Sequence, residues 1–116
     1  MIRTLLPLFI LTVVFFVPPG WAHPPQDIQL DYDLTAGLLH VSMKHVTVDP
    51  REHRIRKIVV YLNGEEVQEH YYVQQTSADG LKVDIELQAQ PGDEISIKAI
   101  CSKAGFSQAR FIIPDE

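Results

Sequence analysis

The sequence predicts an all-β domain, a sandwich of seven strands, and three observations carry that prediction. Beyond the first 22 residues, apolar side chains alternate with polar ones at the period of two that a half-buried strand requires. Turn-forming residues punctuate those runs at short, regular intervals. No segment has an apolar spacing that favours a helix with one buried face.

The chain opens with a different kind of segment. Arg3 is followed by an apolar run from Leu5 to Val17 and then by Pro18-Pro19-Gly20-Trp21-Ala22, with small residues three and one positions before His23. This is the layout of a secretory signal peptide, residues 1–22, cleaved after Ala22. The run of 13 residues is shorter than the roughly 20 of a membrane span, and Pro-Pro-Gly would break a continuing helix. A retained membrane anchor is therefore not expected, and the product is an exported protein, periplasmic or extracellular. Cleavage leaves one domain, residues 23–116, with nine basic residues against 15 acidic ones and a formal charge of −6. That balance argues against nucleic acid as a partner.

In the mature chain Ile28, Leu30 and Tyr32 alternate with polar residues, and Thr35-Ala36-Gly37 turns the chain. Leu39, Val41 and Met43 follow, opposite Leu38, His40, Ser42 and Lys44, which completes a hairpin with one buried face on each strand. A loop from Thr47 to Glu52, containing Asp49-Pro50, leads into the β-branched run Ile55 to Leu62. Asn63-Gly64 is a strong hairpin signal, because both residues tolerate the positive φ of a type I′ turn. The return strand is expected from about Glu65 to Tyr72. After a turn at Asp79-Gly80, Leu81, Val83, Ile85 and Leu87 alternate. Pro91-Gly92-Asp93 starts a strand with Ile95, Ile97, Ala99 and Cys101 on one face. A loop at Gly105 leads to the last strand, with Phe106, Ala109, Phe111 and Ile113 as its apolar set. The count and lengths are those of an immunoglobulin-like β-sandwich, without its disulfide, since Cys101 is the only cysteine.

There is no Gly-rich phosphate loop, no zinc-type cysteine pair and no nucleophile elbow. The residues left to carry chemistry are five histidines and Cys101, and imidazole with thiolate suits iron, copper or zinc. Cleavage after Ala22 would make His23 the first residue, so that its amine and ring can chelate one metal together; a frayed terminus is the plainer reading. His45 and His53 flank one loop that can bring both to the same end of the sandwich, or leave both solvated. Cys101 by itself reads first as a small buried hydrophobe. His40, on a polar strand face, and His70, mid-strand, read as structural or surface residues, and Arg51, Arg54, Arg56 and Lys57 as a solvated or salt-bridged face.

Several of these pieces, in order, resemble the iron domain of the superoxide reductases, the neelaredoxin and desulfoferrodoxin family. His23-Pro24-Pro25 stands where that family has a His followed by Pro before the first strand. The stretch from His45 through Asp49-Pro50 to His53-Arg54-Ile55 and on to Leu62 resembles the family's His-Pro loop, second His and strand. Pro91-Gly92-Asp93, then Ala99-Ile100-Cys101 and Gly105, resemble its last turn, its strand ending in Cys and the Gly beyond. The resemblance spans nearly the whole mature chain.

It implies a non-haem iron, Fe2+/Fe3+, with His23, His45 and His53 as equatorial ligands, Cys101 as the axial one, and superoxide reduced to hydrogen peroxide with electrons from an unknown donor. Three departures stand beside it. Ala104 occupies the place of the family's fourth histidine, the loop between His45 and His53 is longer and lacks a Pro directly after His45, and the Glu-Lys pair before the first His is missing. The amine of His23 is a candidate to fill the vacant position. Two other classes fit the same residues. One is a copper carrier that uses the terminal amine and imidazoles without the thiolate, and the other is a metal-free exported module that binds a protein through its sheet edges or loops.

Overall fold

A computed structural model describes residues 23–115, so the signal peptide expected at residues 1–22 lies outside the described residues. Seven strands form, in the order anticipated: β1 (Gln26–Asp33), β2 (Leu38–Lys44), β3 (Ile55–Leu62), β4 (Glu65–Tyr71), β5 (Gly80–Glu86), β6 (Glu94–Cys101) and β7 (Phe106–Ile112). Among the described residues no helix is long and apolar enough to cross a membrane. The strands make two antiparallel sheets, β1-β2-β5 and β4-β3-β6-β7. In a constant-type immunoglobulin domain the fourth strand pairs with the sheet of the first two. Here the tight Asn63-Gly64 turn returns β4 beside β3 instead. Asn63 and Gly64 take φ of 51° and 87°, the left-handed pair that a type I′ turn needs.

The core lies between the inner faces. Leu39, Val41 and Met43 of β2 and Leu81 and Ile85 of β5 meet Ile58 and Val60 of β3 and Ile95, Ile97 and Ala99 of β6. Each of the larger of these side chains contributes about 1.5–3 kcal/mol by leaving water. Ile28, Leu30 and Tyr32 point inward from β1 but stay half-buried, as an edge strand permits.

Parity divides the apolar residues of the last strand between its two faces. On β7 the inward set is Ser107, Ala109 and Phe111, continuing to Ile113, whereas Phe106 is 52% exposed. Period two cannot place 106 and 109 on one face. Phe106 instead lies under the Lys98 ammonium, 4.1 Å from its ring centre. Inward Ser107 donates to the carbonyl of Pro25 at 2.6 Å, pinning the segment before β1 onto β7 across the sheets.

Because every connection reverses the chain, the entry to β1, the β2–β3 loop, the β4–β5 loop and the end of β6 all meet at one end of the sandwich. The other end is closed by turns. There Tyr32 donates its hydroxyl to the carbonyl of Leu87, and Asn63 bonds both Asp93 and Glu94. A groove of about 750 Å³ opens at that end, among residues such as Tyr32, Gly37, Leu87 and Asp93, and its lining contains no histidine or cysteine.

Candidate metal centre

The alternation of β2 does not stop where the strand does. Met43 is buried, Lys44 exposed, His45 buried, Val46 exposed and Thr47 buried. The amides of His45 and Thr47 donate to the carbonyls of Asp79 and Ala78, each at 2.8 Å, so the pairing with the segment before β5 continues. This parity puts His45 on the core face, in line with Leu39, Val41 and Met43, with 0% of its surface exposed.

His53 arrives from the other sheet. Its amide donates to the carbonyl of Asp49 at 2.9 Å, closing a turn over Asp49-Pro50-Arg51-Glu52. Asp49 Oδ1 accepts the amide of Arg51 at 3.0 Å, the side-chain bond that makes Asp a turn former. The ring of His53, 6% exposed, therefore enters just ahead of β3. His23 comes third, from the segment before β1. Its ring centre lies 4.9 Å from that of His45 and 5.4 Å from that of His53, and the latter two are 4.6 Å apart.

One nitrogen from each ring can be chosen so that all three lie within 4.8 Å of one another. Two imidazole nitrogens on one ion at about 2.0–2.1 Å are at most about 4.2 Å apart. Three that share an ion in a tetrahedral arrangement lie about 3.4 Å apart, so the side chains close by up to about 1.4 Å, through rotamer adjustment, to do so. The donor set fits a transition metal in chemistry as well, because neutral imidazole is the commonest protein ligand for such ions.

The contacts of the rings point the same way. His45 Nδ1 faces Gln75 Oε1, and its Nε2 lies 3.0 Å from the carbonyl oxygen of His23. His23 Nδ1 and Nε2 lie 3.1 Å from the carbonyl oxygens of Pro24 and Val46. A neutral imidazole carries one N–H, so in each ring one nitrogen turns a lone pair toward an oxygen. A cation among the rings relieves that opposition. A proton does so poorly at His45, whose burial pushes its pKa below the usual 6.5, against smaller upward effects of Gln75 and the His23 carbonyl. A metal needs the neutral rings that burial favours.

Of the four residues expected as ligands, three come together, and the fourth ends the strand paired with β3 without joining the group. Cys101, 3% exposed, ends the inward face of β6 opposite Ile55. Its sulfur accepts the amide of Lys103 at 3.4 Å. The segments that carry His53 and Cys101 are tied together: Arg54 N–H donates to Ser102 Oγ, Ser102 N–H to the Arg54 carbonyl, and Ser102 Oγ to the Glu52 carbonyl. Ala104 is exposed in the following turn. His40 pairs with Asp84 at 2.5 Å on the outer face, and His70 contacts Gln68 on edge strand β4, so neither belongs to the site. In the basic cluster, Arg54 donates to the carbonyls of Tyr72 and Arg51, and Lys57 pairs with Glu69 at 3.0 Å.

One residue of the site lies outside the set read from the sequence. Gln75, in the β4–β5 loop, is 3% exposed, and its amide touches His45, Ile55 and Ser77. Compared with known protein families, curated proteins and solved structures, the chain gives no match.

Proposed function

We propose that this protein is an exported metal-binding domain of superoxide-reductase type, in which His23, His45 and His53 would hold one non-haem iron ion, with Cys101 as a fourth donor. The observation that carries this reading is the convergence of three imidazoles from three chain segments at one end of the core. The chain's only thiol ends a strand hydrogen-bonded to the segment that bears His53. A bound ferrous ion would supply one electron to superoxide, and two protons complete hydrogen peroxide. The electron is then replaced by an external donor.

The residues of this chain do the holding. His45 and His53 are fixed by sheet parity and by a closed turn, and His23 by the Pro24-Pro25 segment pinned on Ser107. Arg51, exposed on the loop between His45 and His53, places positive charge beside the site in an acidic domain, which favours approach of a small anion.

The test is metal content and visible absorption of the protein purified without chelator after expression of the full chain, before and after ferrous iron and then oxidant. One iron per chain and a thiolate-to-ferric band in the red, lost in Cys101→Ser, are the expected results. Iron uptake with no such band removes Cys101 from the ligand set, and no uptake ends the iron reading. A copper-binding reading has one specific observation in its favour: the convergent group consists of imidazoles alone, and one belongs to His23, whose amine is freed by cleavage after Ala22. It requires Cu2+ to bind with equal affinity in Cys101→Ser and more weakly when one residue is added ahead of His23.

A further inference from the structure

The amide of Gln75 has only one orientation that satisfies its surroundings. Oε1 accepts the N–H of Ile55 at 3.0 Å, while Nε2 donates to the carbonyls of His45 at 2.9 Å and Ser77 at 3.1 Å. Exchanging the two atoms would set an NH2 against an N–H and an oxygen against two carbonyls, three contacts turned unfavourable inside the protein. The atom that meets His45 Nδ1 is therefore an acceptor with no proton to give. Nε2 also faces an acceptor, the His23 carbonyl oxygen at 3.0 Å, but the closer contact is the one to Gln75, which favours the N–H on Nδ1 and, in the neutral ring, the lone pair on Nε2.

We propose that Gln75 is a positioning residue of the metal centre, which holds the His45 proton on Nδ1 and so assigns Nε2 as the atom offered to the metal. The inference rests on the metal-binding reading and adds a donor atom and a residue outside the ligand set. Gln75 is well placed to hold the ring still. Its own amide donates to the carbonyl of Pro50 at 3.1 Å, so it joins the loop carrying His53, the backbone of His45 and the start of β3. An imidazole whose second nitrogen donates to a fixed carbonyl has its tautomer and its plane set before any metal arrives. Without Gln75 the proton has an alternative, because the His23 carbonyl lies 3.0 Å from Nε2 and would accept it there. That tautomer blocks the donor.

The test uses ¹⁵N-labelled protein obtained by expressing the full chain, with long-range ¹⁵N–¹H spectra of the histidine rings recorded metal-free and with Zn2+. In the unaltered protein His45 is expected in the Nδ1–H form, with Zn2+ moving the Nε2 resonance. In Gln75→Leu the ring should shift toward Nε2–H, and Zn2+ affinity, read by competition with a chelating dye, should fall about 10–100-fold. The tautomer of the unaltered protein tests the inference without any variant; Gln75→Glu keeps the acceptor oxygen but sets its second oxygen against the carbonyls of His45 and Ser77, so it is read only when folded. It should retain the Nδ1–H form and bind Zn2+ at least as tightly as the unaltered protein. An Nε2–H tautomer in the unaltered protein, or an unchanged affinity in folded Gln75→Leu, overturns this inference alone. A folded Gln75→Glu that binds more weakly also overturns it. Failure of the unaltered protein to take up Zn2+, iron or copper overturns the metal reading beneath it.

Discussion

His45 and His40 show how one side chain is put to opposite uses by the face it occupies. His40, on the outer face of β2, meets the Asp84 carboxylate at 2.5 Å, and that hydrogen bond holds its pKa above 6.5. The pair therefore adds stability that is fully present below the unfolded pKa near 6.5 and is lost as pH rises through the higher folded value. NMR titration should show His40 with a raised midpoint that drops in Asp84→Asn. His45, five residues later on the inner face, has its pKa pushed below 6.5 by burial. Its inward position was legible in the sequence, since Leu39, Val41, Met43 and His45 share a parity, although its place at the end of the strand, beside a loop, also allows a solvated histidine. Gln75 was not legible. It sits in the polar run Gln74-Gln75-Thr76-Ser77, and its burial arises only where three distant segments meet.

At the scale of elements, two glycines separate strain of the backbone from want of space. Gly64 turns the β3–β4 hairpin at φ 87°, and a Cβ there would meet nothing within 4 Å. Gly64→Ala should cost about 1–2 kcal/mol, the left-handed penalty alone, and lower Tm by at least about 4–8 °C. Gly80 has no such φ, but a Cβ on it would lie 2.0 Å from the carbonyl oxygen of Met43. That oxygen belongs to backbone, so Gly80→Ala must part β2 from β5 where the pairing positions His45. Its penalty should reach about 3 kcal/mol or more, with a larger Tm loss than Gly64→Ala in calorimetry and weaker metal uptake. The order and nearly all bounds of the seven strands followed from alternation and turn residues, which are local signals. Parity sets Phe106 on the face opposite Ala109, Phe111 and Ile113, outward under Lys98.

For the molecule as a whole, the histidines join the two sheets. His45 extends β2, His53 precedes β3, and His23 leads into β1, so an ion held by all three ties both sheets at one end. Such a ligand binds the folded chain and not the unfolded one. At 100 times its Kd it should add about 2.7 kcal/mol, which for a domain of this size raises Tm by roughly 11–22 °C. Calorimetry with and without ferrous iron, and again after chelator, checks this, and a Tm indifferent to metal would contradict it. Part of this convergence was legible, because one loop joins His45 and His53; His23 lies a hairpin away and reaches them only through the antiparallel path of β1 and β2.

The burial of Cys101 also makes the protein its own clock. With 3% of its surface exposed, and its sulfur held by the amide of Lys103, the thiol meets a bulky reagent only when this end of the sandwich comes apart. The labelling rate, followed against reagent concentration, therefore counts how often that end opens while the rest of the fold stays closed. Any ion that binds the histidines must slow that count.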